Sequence, residues 1–235
     1  MNPRVAAIVP ARAGSKGVKN KNIRALNGKP LIAHTLDTVL AVDLVKRIVV
    51  STDSDQVMEI AAAYAKVGLL ARPKELATDT ASGIDVFRHG IQHVRMKYGD
   101  FDYYVYLQPT SPLRAPEDIQ KALSIAVKKG ALSVVSVCEC AHHPFWCNVL
   151  PKTLSLEGFI PAAIRGKNRQ DLPTYYQLNG AIYVVSAELG NSTLFDFFGP
   201  RSFACVMPKD RSIDIDSEED FLLAELILSQ KAKNR

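Results

Sequence analysis

The 235-residue sequence lacks long apolar runs and contains only four cysteines. No apolar run approaches the roughly 18 residues that a membrane-spanning helix needs, so we expect no membrane partner. Arg4, Pro10 and Arg12 interrupt the apolar stretch near the N-terminus, which argues against a secretory signal and predicts a cytoplasmic protein. So few cysteines do not suggest a disulfide scaffold, which agrees with a reducing compartment.

Three of the cysteines lie close to two histidines, so a metal site has to be weighed. They are Cys138, Cys140 and Cys147, beside His142 and His143. The spacing is Cys-x-Cys rather than Cys-x-x-Cys, and no second pair follows at the distance typical of zinc sites. The pattern therefore favours buried free thiols over a structural metal.

The two familiar phosphate-binding fingerprints are also absent. The sequence contains neither Gly-x-Gly-x-x-Gly after its first strand nor Gly-x-x-x-x-Gly-Lys-Ser/Thr anywhere, so neither a dinucleotide site nor a P-loop is indicated. The composition, 47% apolar and 23% charged, is that of a globular protein, and the length suits a single domain covering residues 1–235. The net charge of +5 suits an anionic small molecule; nucleic acid is the weaker prediction, because aromatic and basic residues are not interleaved.

The most informative stretch is the first predicted strand and the loop that follows it. Residues 5–9 are all apolar, which predicts a strand buried on both faces, as in a parallel sheet. The loop combines glycines, which let backbone N–H groups approach a ligand, with cationic side chains: Gly14, Gly17, Arg12, Lys16 and Lys21. A solvated basic loop is the alternative. Because open α/β sheets bind ligands beyond the carboxyl ends of their strands, the position favours a polyphosphate site.

Apolar periodicity predicts alternating strands and helices along the rest of the chain. The predicted helices cover residues 31–39, 54–66, 83–96, 116–128 and 217–229, and the predicted strands residues 47–51, 103–107, 132–137 and 180–185. This alternation predicts an α/β fold, with a Rossmann-like, mostly parallel sheet and helices on both faces. Residues 139–178 break the pattern and predict an irregular or β-rich insertion that covers the substrate or contacts a second subunit.

Two aspartates near the C-terminus, Asp214 and Asp216, alternate with isoleucines. In an extended chain both carboxylates would project from one face while the isoleucines pack into the sheet. Such a pair suits Mg²⁺, which commonly uses one or two carboxylates together with substrate phosphates. The alternative is a helix cap at Asp216 or Ser217, with Ser217 and Asp220 as a capping box. A polyphosphate loop elsewhere in the chain favours the metal.

The loop at residues 10–17, Pro-Ala-Arg-Ala-Gly-Ser-Lys-Gly, and the pair Lys21-Asn22 resemble the signature of the CMP-sialic acid synthetase family of cytidylyltransferases. Further blocks resemble that family and occur in its order. They are Ser-Thr-Asp at 51–53, Arg-Pro-Lys-Glu-Leu-Ala at 72–77, Leu-Gln-Pro-Thr-Ser-Pro-Leu-Arg at 107–114, Asn-Gly-Ala-Ile-Tyr at 179–183 and Ser-Ile-Asp-Ile-Asp at 212–216. Together they span most of residues 5–228.

The resemblance implies that CTP and a nine-carbon sugar acid give a CMP-sugar and pyrophosphate, with Mg²⁺ as cofactor and a homodimer as the assembly. It implies CTP contacts from Arg12, Ser15, Lys16, Lys21, Asn22, Arg72 and Ser82. It implies sugar-acid contacts from Gln108, Arg169, Gln177, Asn179 and Tyr183. The predicted catalytic residues are Lys21, Arg12, Asp214 and Asp216, of which the two aspartates bind the metal. Arg169 suits a carboxylate, although it lies in a basic run that could simply be solvated.

Some positions depart from patterns of related enzymes. Gln108 stands where relatives acting on the eight-carbon acid of lipopolysaccharide carry an acidic metal ligand, and the block at 179–183 counts against pseudaminate. Gln177 stands where an arginine can occur, which leaves N-acetylneuraminate, legionaminate and other nine-carbon acids open. The alternatives are a cytidylyltransferase for pseudaminate or 3-deoxy-manno-octulosonate, or a non-catalytic nucleotide- or nucleic-acid-binding domain. The dimer prediction for the insertion relies on its apolar residues, Phe145, Trp146, Leu150, Phe159 and Ile160.

Overall fold

A computed structural model describes residues 3–14 and 17–233 of the chain. Within these residues the strands are β1 (Val5–Pro10), β2 (Ala25–Leu26), β3 (Lys29–Pro30), β4 (Val45–Thr52), β5 (Val67–Ala71), β6 (Tyr103–Tyr106), β7 (Ser133–Glu139), β8 (Tyr176–Ser186) and β9 (Ser202–Val206). The helices are α1 (Leu31–Leu40), α2 (Asp55–Ala62), α3 (Gly83–Tyr98), α4 (Pro116–Lys129), α5 (Ala187–Gly190) and α6 (Glu218–Lys233). No helix in the described part of the chain has the length and apolarity needed to cross a membrane.

The sheet has the strand order β5-β4-β1-β6-β8-β7-β9. Strand β1 lies between β4 and β6 and is parallel to both, and β5 and β9 extend the sheet in parallel at its two edges. Strand β8 is antiparallel to its neighbours β6 and β7. The prediction of a mostly parallel α/β sheet is therefore confirmed.

Helices cover both faces of this sheet, as predicted. Helices α1, α2 and α4 pack on one face and build a core that includes Leu36, Val57 and Leu123. Helix α3 packs on the other face through Phe87 and Ile91, together with α5. A continuous apolar run such as β1 is explained by this arrangement, because its side chains are buried on both faces.

A third, smaller apolar cluster lies apart from the two main cores. It joins the chain after β1 to the chain around α6, and its buried members are Val18, Leu26, Leu31, Leu113, Ile215, Phe221 and Ala224. This cluster fixes the early loop against the C-terminal segment.

Two elements correct the sequence prediction. Helix α2 ends at Ala62, whereas residues up to 66 were predicted as helix, and β5 follows at Val67–Ala71. The alanine-rich periodicity of α2 runs on into β5, and an edge strand that is only partly buried has a weak pattern of its own. Strand β9 was likewise missed; it also lies at an edge of the sheet, where one side lacks a strand partner.

The predicted insertion is irregular rather than β-rich. Between the end of β7 and the start of β8 the chain forms three short 3-10 turns, Pro144–Trp146, Ala162–Ile164 and Arg169–Asp171. The strand predicted at residues 180–185 is longer than expected, because β8 begins at Tyr176 and takes up the end of the predicted insertion. Most of the segment is exposed.

Candidate active site

A cleft of about 390 Å³ lies at the carboxyl ends of β1 and β6. One wall comes from the loop after β1, the floor from the end of β6, and the other walls from residues 72–83 and from Asp216. The cleft brings together several residues that the sequence predicted for the site: Arg12, Lys21, Asn22, Arg72, Gln108 and Asp216. This is the edge of the sheet at which open α/β folds bind their ligands.

The loop after β1 is held in shape by hydrogen bonds from its backbone. The Ala11 N–H donates to the Ser51 carbonyl at 3.0 Å, and the Ala13 N–H donates to Asp53 Oδ1 at 2.7 Å. Asn22 is buried, and its Nδ2 donates to the Arg12 carbonyl at 3.0 Å. Asn22 therefore braces the loop. Ser15 and Lys16, predicted to contact CTP, lie outside the described residues.

Arg12 points into the cleft and meets an acidic partner there. Its Nη1 lies 2.6 Å from Oδ1 of Asp79, which also lines the cleft. Both side chains are partly exposed. No sequence pattern points to Asp79, since it is a lone aspartate in a polar stretch. An anionic ligand entering the cleft would compete with this carboxylate for Arg12.

Lys21 links the early loop to the C-terminal aspartates. Its Nζ donates to the Ile215 carbonyl and lies 3.4 Å from Oδ1 of Asp216. A Cβ on Gly17 would overlap the Asp216 carbonyl oxygen, so only glycine fits at this contact. The structure thus confirms that the basic loop and the aspartate segment meet at one cleft, although they are about 200 residues apart in the sequence.

The aspartate segment itself differs from the prediction. Residues 213–216 form an irregular stretch rather than a strand, anchored by the Ile215 N–H, which donates to the Thr110 carbonyl at 2.8 Å. Ile215 packs into the third apolar cluster and not into the sheet. As a result the two carboxylates are unequal: the side chain of Asp216 is 81% exposed, whereas Asp214 is largely shielded from solvent.

The environment of Asp214 is unusual for a carboxylate. Burial raises its pKa above the ordinary value, the negative charge of Asp216 adds to this, and a hydrogen bond with Thr110 opposes it. Its Oδ1 is buried and has no hydrogen-bond partner among the described residues. A buried, unsatisfied carboxylate oxygen beside a second carboxylate fits a hard cation, which prefers oxygen ligands.

The helix cap and the carboxylate pair use different residues. Ser217 and Asp220 form the predicted capping box: the Asp220 N–H donates to Ser217 Oγ at 3.2 Å, and the Ser217 N–H donates to Asp220 Oδ2 at 2.9 Å. Asp214 and Asp216 remain available beside the cleft. Among the described residues, no group of three or more histidines, cysteines, aspartates or glutamates is arranged to hold a metal, so a cation there would also need ligands from a substrate.

Arg72 forms the opposite side of the cleft and is buried. Its Nε and Nη2 donate to the Oγ and the carbonyl of Ser51, at 3.2 and 2.6 Å. Burial lowers the pKa of this arginine, because a desolvated cation is less stable. Ser82 is the N-cap of α3, where its Oγ accepts from the Ile84 N–H. It stands between Ala81 and Gly83, which line the cleft.

Gly180 allows Asp214 and Gln108 to approach β8. Its φ of +69° is in the left-handed region, and a Cβ there would lie 2.8 Å from Asp214 Oδ2 and 3.2 Å from Gln108 Oε1. Tyr183 is close to the same group: burial raises its pKa, and the charge of Asp214 raises it further. Gln108, Tyr183 and Asp214 thus lie together where β8 passes the cleft.

The remaining residues predicted to contact the sugar acid lie farther along the sheet edge. Asn179 is buried. Its Oδ1 accepts a hydrogen bond from Ser136 Oγ at 2.6 Å, and its Nδ2 donates one to Ser212 Oγ at 2.9 Å. Both ends of its amide are therefore already bonded within the protein. Gln177 is exposed on β8, opposite Cys138. Arg169 lies in the irregular segment, with its Nη2 3.7 Å from Glu139 Oε1. These three residues do not line the described cleft.

Comparison with known proteins identifies the family of the chain. The family model described as cytidylyltransferase matches residues 6–143, which include the basic loop, Arg72 and Gln108. The chain belongs to the cytidylyltransferase family. The match covers more than half of the chain, and it ends before the irregular segment and the aspartates.

Curated relatives of this family match over nearly the whole chain. An N-acylneuraminate cytidylyltransferase from Escherichia coli O18:K1:H7 is 35% identical over all of the chain, which spans 54% of that relative's length. A CMP-N,N'-diacetyllegionaminic acid synthase from Legionella pneumophila is 36% identical over 96% of both proteins. The chain therefore spans about half the length of the first relative and nearly all of the second.

A solved structure supports the fold of this chain. A CMP:2-keto-3-deoxy-manno-octonic acid synthetase complexed with CTP aligns with a TM-score of 0.70 over 97% of this chain and 99% of that one, at 19% identity. At this identity the similarity establishes the shared fold alone.

Proposed function

We propose that this chain transfers the cytidylyl group of CTP to a nine-carbon sugar acid, such as N-acetylneuraminate or a legionaminate, and releases pyrophosphate. The observation that carries the proposal is the contact between the basic loop and the aspartate segment, where Lys21 meets Ile215 and Asp216. The names of the Escherichia coli and Legionella relatives support the substrate class. Family membership supports the nucleotide.

The triphosphate would bind along the loop after β1. Arg12 and Lys21 supply positive charge in the cleft, and Asn22 holds the loop that carries Arg12. The predicted contacts from Ser15 and Lys16 would add to this site. The nucleoside would lie toward Arg72 and the start of α3 near Ser82, on the side of the cleft that is formed by residues 72–83.

The sugar acid would lie beside the nucleotide, toward β8. Gln108 and Tyr183 are near Asp214, so they are placed to bind the part of the acid that carries the reacting hydroxyl. Asn179 would act indirectly, because its amide positions Ser212, two residues before Asp214. Arg169 would contact the carboxylate of the acid, and Gln177 would contact a part of the acid farther from the reacting hydroxyl.

The chemistry requires the hydroxyl at the anomeric carbon to attack the α-phosphorus, with pyrophosphate leaving in line. Positioning and charge neutralisation account for most of the rate in such reactions. Lys21, held by the Ile215 carbonyl, would stabilise negative charge on the α-phosphate, and Arg12 would stabilise charge on the departing pyrophosphate. Asp214, whose pKa is raised by burial, would orient the attacking hydroxyl.

Magnesium is the proposed cofactor, held by Asp214 and Asp216 together with phosphate oxygens of CTP. The buried, unpartnered Oδ1 of Asp214 supports this assignment. When bound, Mg²⁺ would polarise the phosphate and lower the pKa of a coordinated hydroxyl. Two carboxylates together with phosphate oxygens would be an oxygen ligand set of the kind that Mg²⁺ uses.

Pyrophosphate release tests the proposed activity. The enzyme would be mixed with CTP, MgCl₂ and a panel of N-acetylneuraminate, legionaminate, pseudaminate and 3-deoxy-manno-octulosonate, with ATP and UTP as control nucleotides. We expect turnover with CTP and a nine-carbon acid, and at least about a hundredfold loss in Lys21→Ala. No turnover with any acid, combined with salt-sensitive binding to RNA or DNA, would favour a nucleic-acid-binding domain instead.

A second subunit is the proposed partner of the irregular segment. This segment and the adjoining strand ends expose large apolar side chains: Val149, Leu150, Leu154, Leu156, Tyr176, Leu178 and Val206. Of the residues that motivated the prediction, Leu150 and Phe145 are exposed, whereas Trp146, Phe159 and Ile160 are partly covered. Exposed apolar groups of this extent are typical of an interface. Sedimentation equilibrium at micromolar concentration should give a dimer; a monomer would remove the proposal.

The proposed location is the cytoplasm, because free cysteines suit a reducing compartment.

A further inference from the structure

Two cations converge on one carboxylate beyond the cleft. Lys209 Nζ lies 3.2 Å from Glu139 Oε1, and Arg169 Nη2 lies 3.7 Å from the same oxygen. Both cations also donate to the Cys140 carbonyl, each at 3.4 Å. The protein's own glutamate therefore lies between two donors that are suited to bind a carboxylate.

The position of this cluster relates it to the active site. Glu139 is the last residue of β7, and Lys209 follows β9, the neighbouring parallel strand. The 3-10 turn Lys209–Arg211 is followed by Ser212, whose N–H donates to the Lys209 carbonyl at 3.0 Å. Asp214 follows two residues later. The cation pair thus lies at the same edge of the sheet as the cleft, on the segment that leads into the aspartates.

The three side chains are exposed enough to exchange partners. The side chains of Lys209 and Glu139 are 47% and 48% exposed, and that of Arg169 is 55% exposed. An ion pair in such a setting contributes little to stability, because water screens it and long side chains lose freedom in forming it. A role in holding the fold together is thus a weak explanation for the convergence of two cations.

We propose that Lys209 acts with Arg169 to bind the carboxylate of the sugar acid, and that Glu139 occupies this position until the acid binds. The inference rests on the proposed function, because it assigns a residue to the sugar-acid side of the same site. In the exchange the carboxylate of the acid replaces that of Glu139 between the two cations. No proton is transferred, and no covalent bond forms or breaks.

Replacing Lys209 tests the inference directly. In Lys209→Met the KM for the sugar acid should rise about tenfold, with kcat and the KM for CTP unchanged, because a charge-assisted contact to bound substrate is lost. Lys231→Met is the matched control: Lys231 pairs with Asp210 at 3.0 Å and has a similarly exposed side chain. The control should leave all three constants within about twofold. The acid used is the member of the panel with the highest kcat/KM.

A methyl ester of the same acid separates carboxylate binding from other effects. Its inhibition constant should change less than about twofold between the wild type and Lys209→Met, since the ester has no anionic group for Lys209 to bind. Equal losses for the acid and the ester would overturn the inference.

Glu139→Gln gives a result of opposite sign. Removing the internal competitor should lower the KM for the acid about two- to fivefold, whereas a purely structural cluster would give losses in both variants. An unchanged KM in Lys209→Met, with wild-type turnover present, overturns the inference alone. Absence of wild-type turnover with every acid overturns the proposed function instead.

Discussion

Replacing Gly180 by alanine should separate the position of Asp214 from the stability of the fold. An alanine at a φ of +69° is strained by about 1–2 kcal/mol. Its Cβ would also lie 2.8 Å from Asp214 Oδ2, where ordinary contacts begin at 3.4 Å, so the carboxylate would have to recede by about 0.6 Å. A displacement approaching 1 Å at a reacting group can reduce the rate on the order of a hundredfold.

Gly130 supplies the matched control for this substitution. It ends α4 with a φ of +55°, and a Cβ there meets nothing within 4 Å. Gly130→Ala therefore has a similar backbone penalty without a steric contact. Because a domain of this kind is stable by about 5–15 kcal/mol, both variants should stay folded.

The assay is kcat/KM for pyrophosphate release, with stability measured by urea unfolding. We expect both variants to lose about 1–2 kcal/mol of stability, and only Gly180→Ala to lose about ten- to a hundredfold in kcat/KM. Gly180→Ala that retains wild-type activity would refute the placement of Asp214. Equal losses of activity in both variants would show that strain, rather than the contact, is responsible.

Two further predictions concern groups away from the cleft. Cys147 is exposed, whereas Cys205 is buried and burial raises the pKa of its thiol to about 11. Ellman's reagent at pH 8 should therefore modify Cys147 in the native protein and Cys205 only after unfolding. Equal modification of the two thiols in the native protein, measured by mass spectrometry, would contradict this. Burial and the nearby Asp37 raise the pKa of Tyr64 from 10.0 to about 12, and its hydroxyl donates to Asp37 Oδ1 at 3.1 Å. Because the folded-state pKa is the higher one, this stability is present below pH 10 and is lost as the pH rises toward 12. Tyr64→Phe should lose about 1 kcal/mol at neutral pH and show a smaller alkaline decline in urea unfolding; an identical decline in both proteins would contradict the assignment.

The sequence predicted the sheet well where strands lie at its centre. Residues 5–9 are apolar throughout because β1 has a neighbour on each side and helices on each face. The edge strands β5 and β9 were missed for the opposite reason, since half-exposed strands lose the pattern that reveals them. In these places pairing with a neighbour distant in sequence decides the structure.

The candidate site was predictable in its residue types and only partly in its geometry. Arg12 and Lys21 are where a cationic loop after a buried strand predicts them. The difference in exposure between Asp214 and Asp216 was not predictable. Their alternation with isoleucines suggested a strand, whereas Ile215 packs against Val18 and Phe221. Glu139 and Lys209 carry no local signal at all; only the pairing of β7 with β9 brings them together.

The small apolar cluster between residue 18 and α6 has a consequence for how the protein would respond to substitutions within it. It joins the two walls that carry Lys21 and Asp216 and shares none of its buried members with the cores under the sheet. A cavity made at Phe221 would let these walls separate while the sheet stays intact. Such a substitution would first weaken binding of the proposed nucleotide, at temperatures where the protein is still folded.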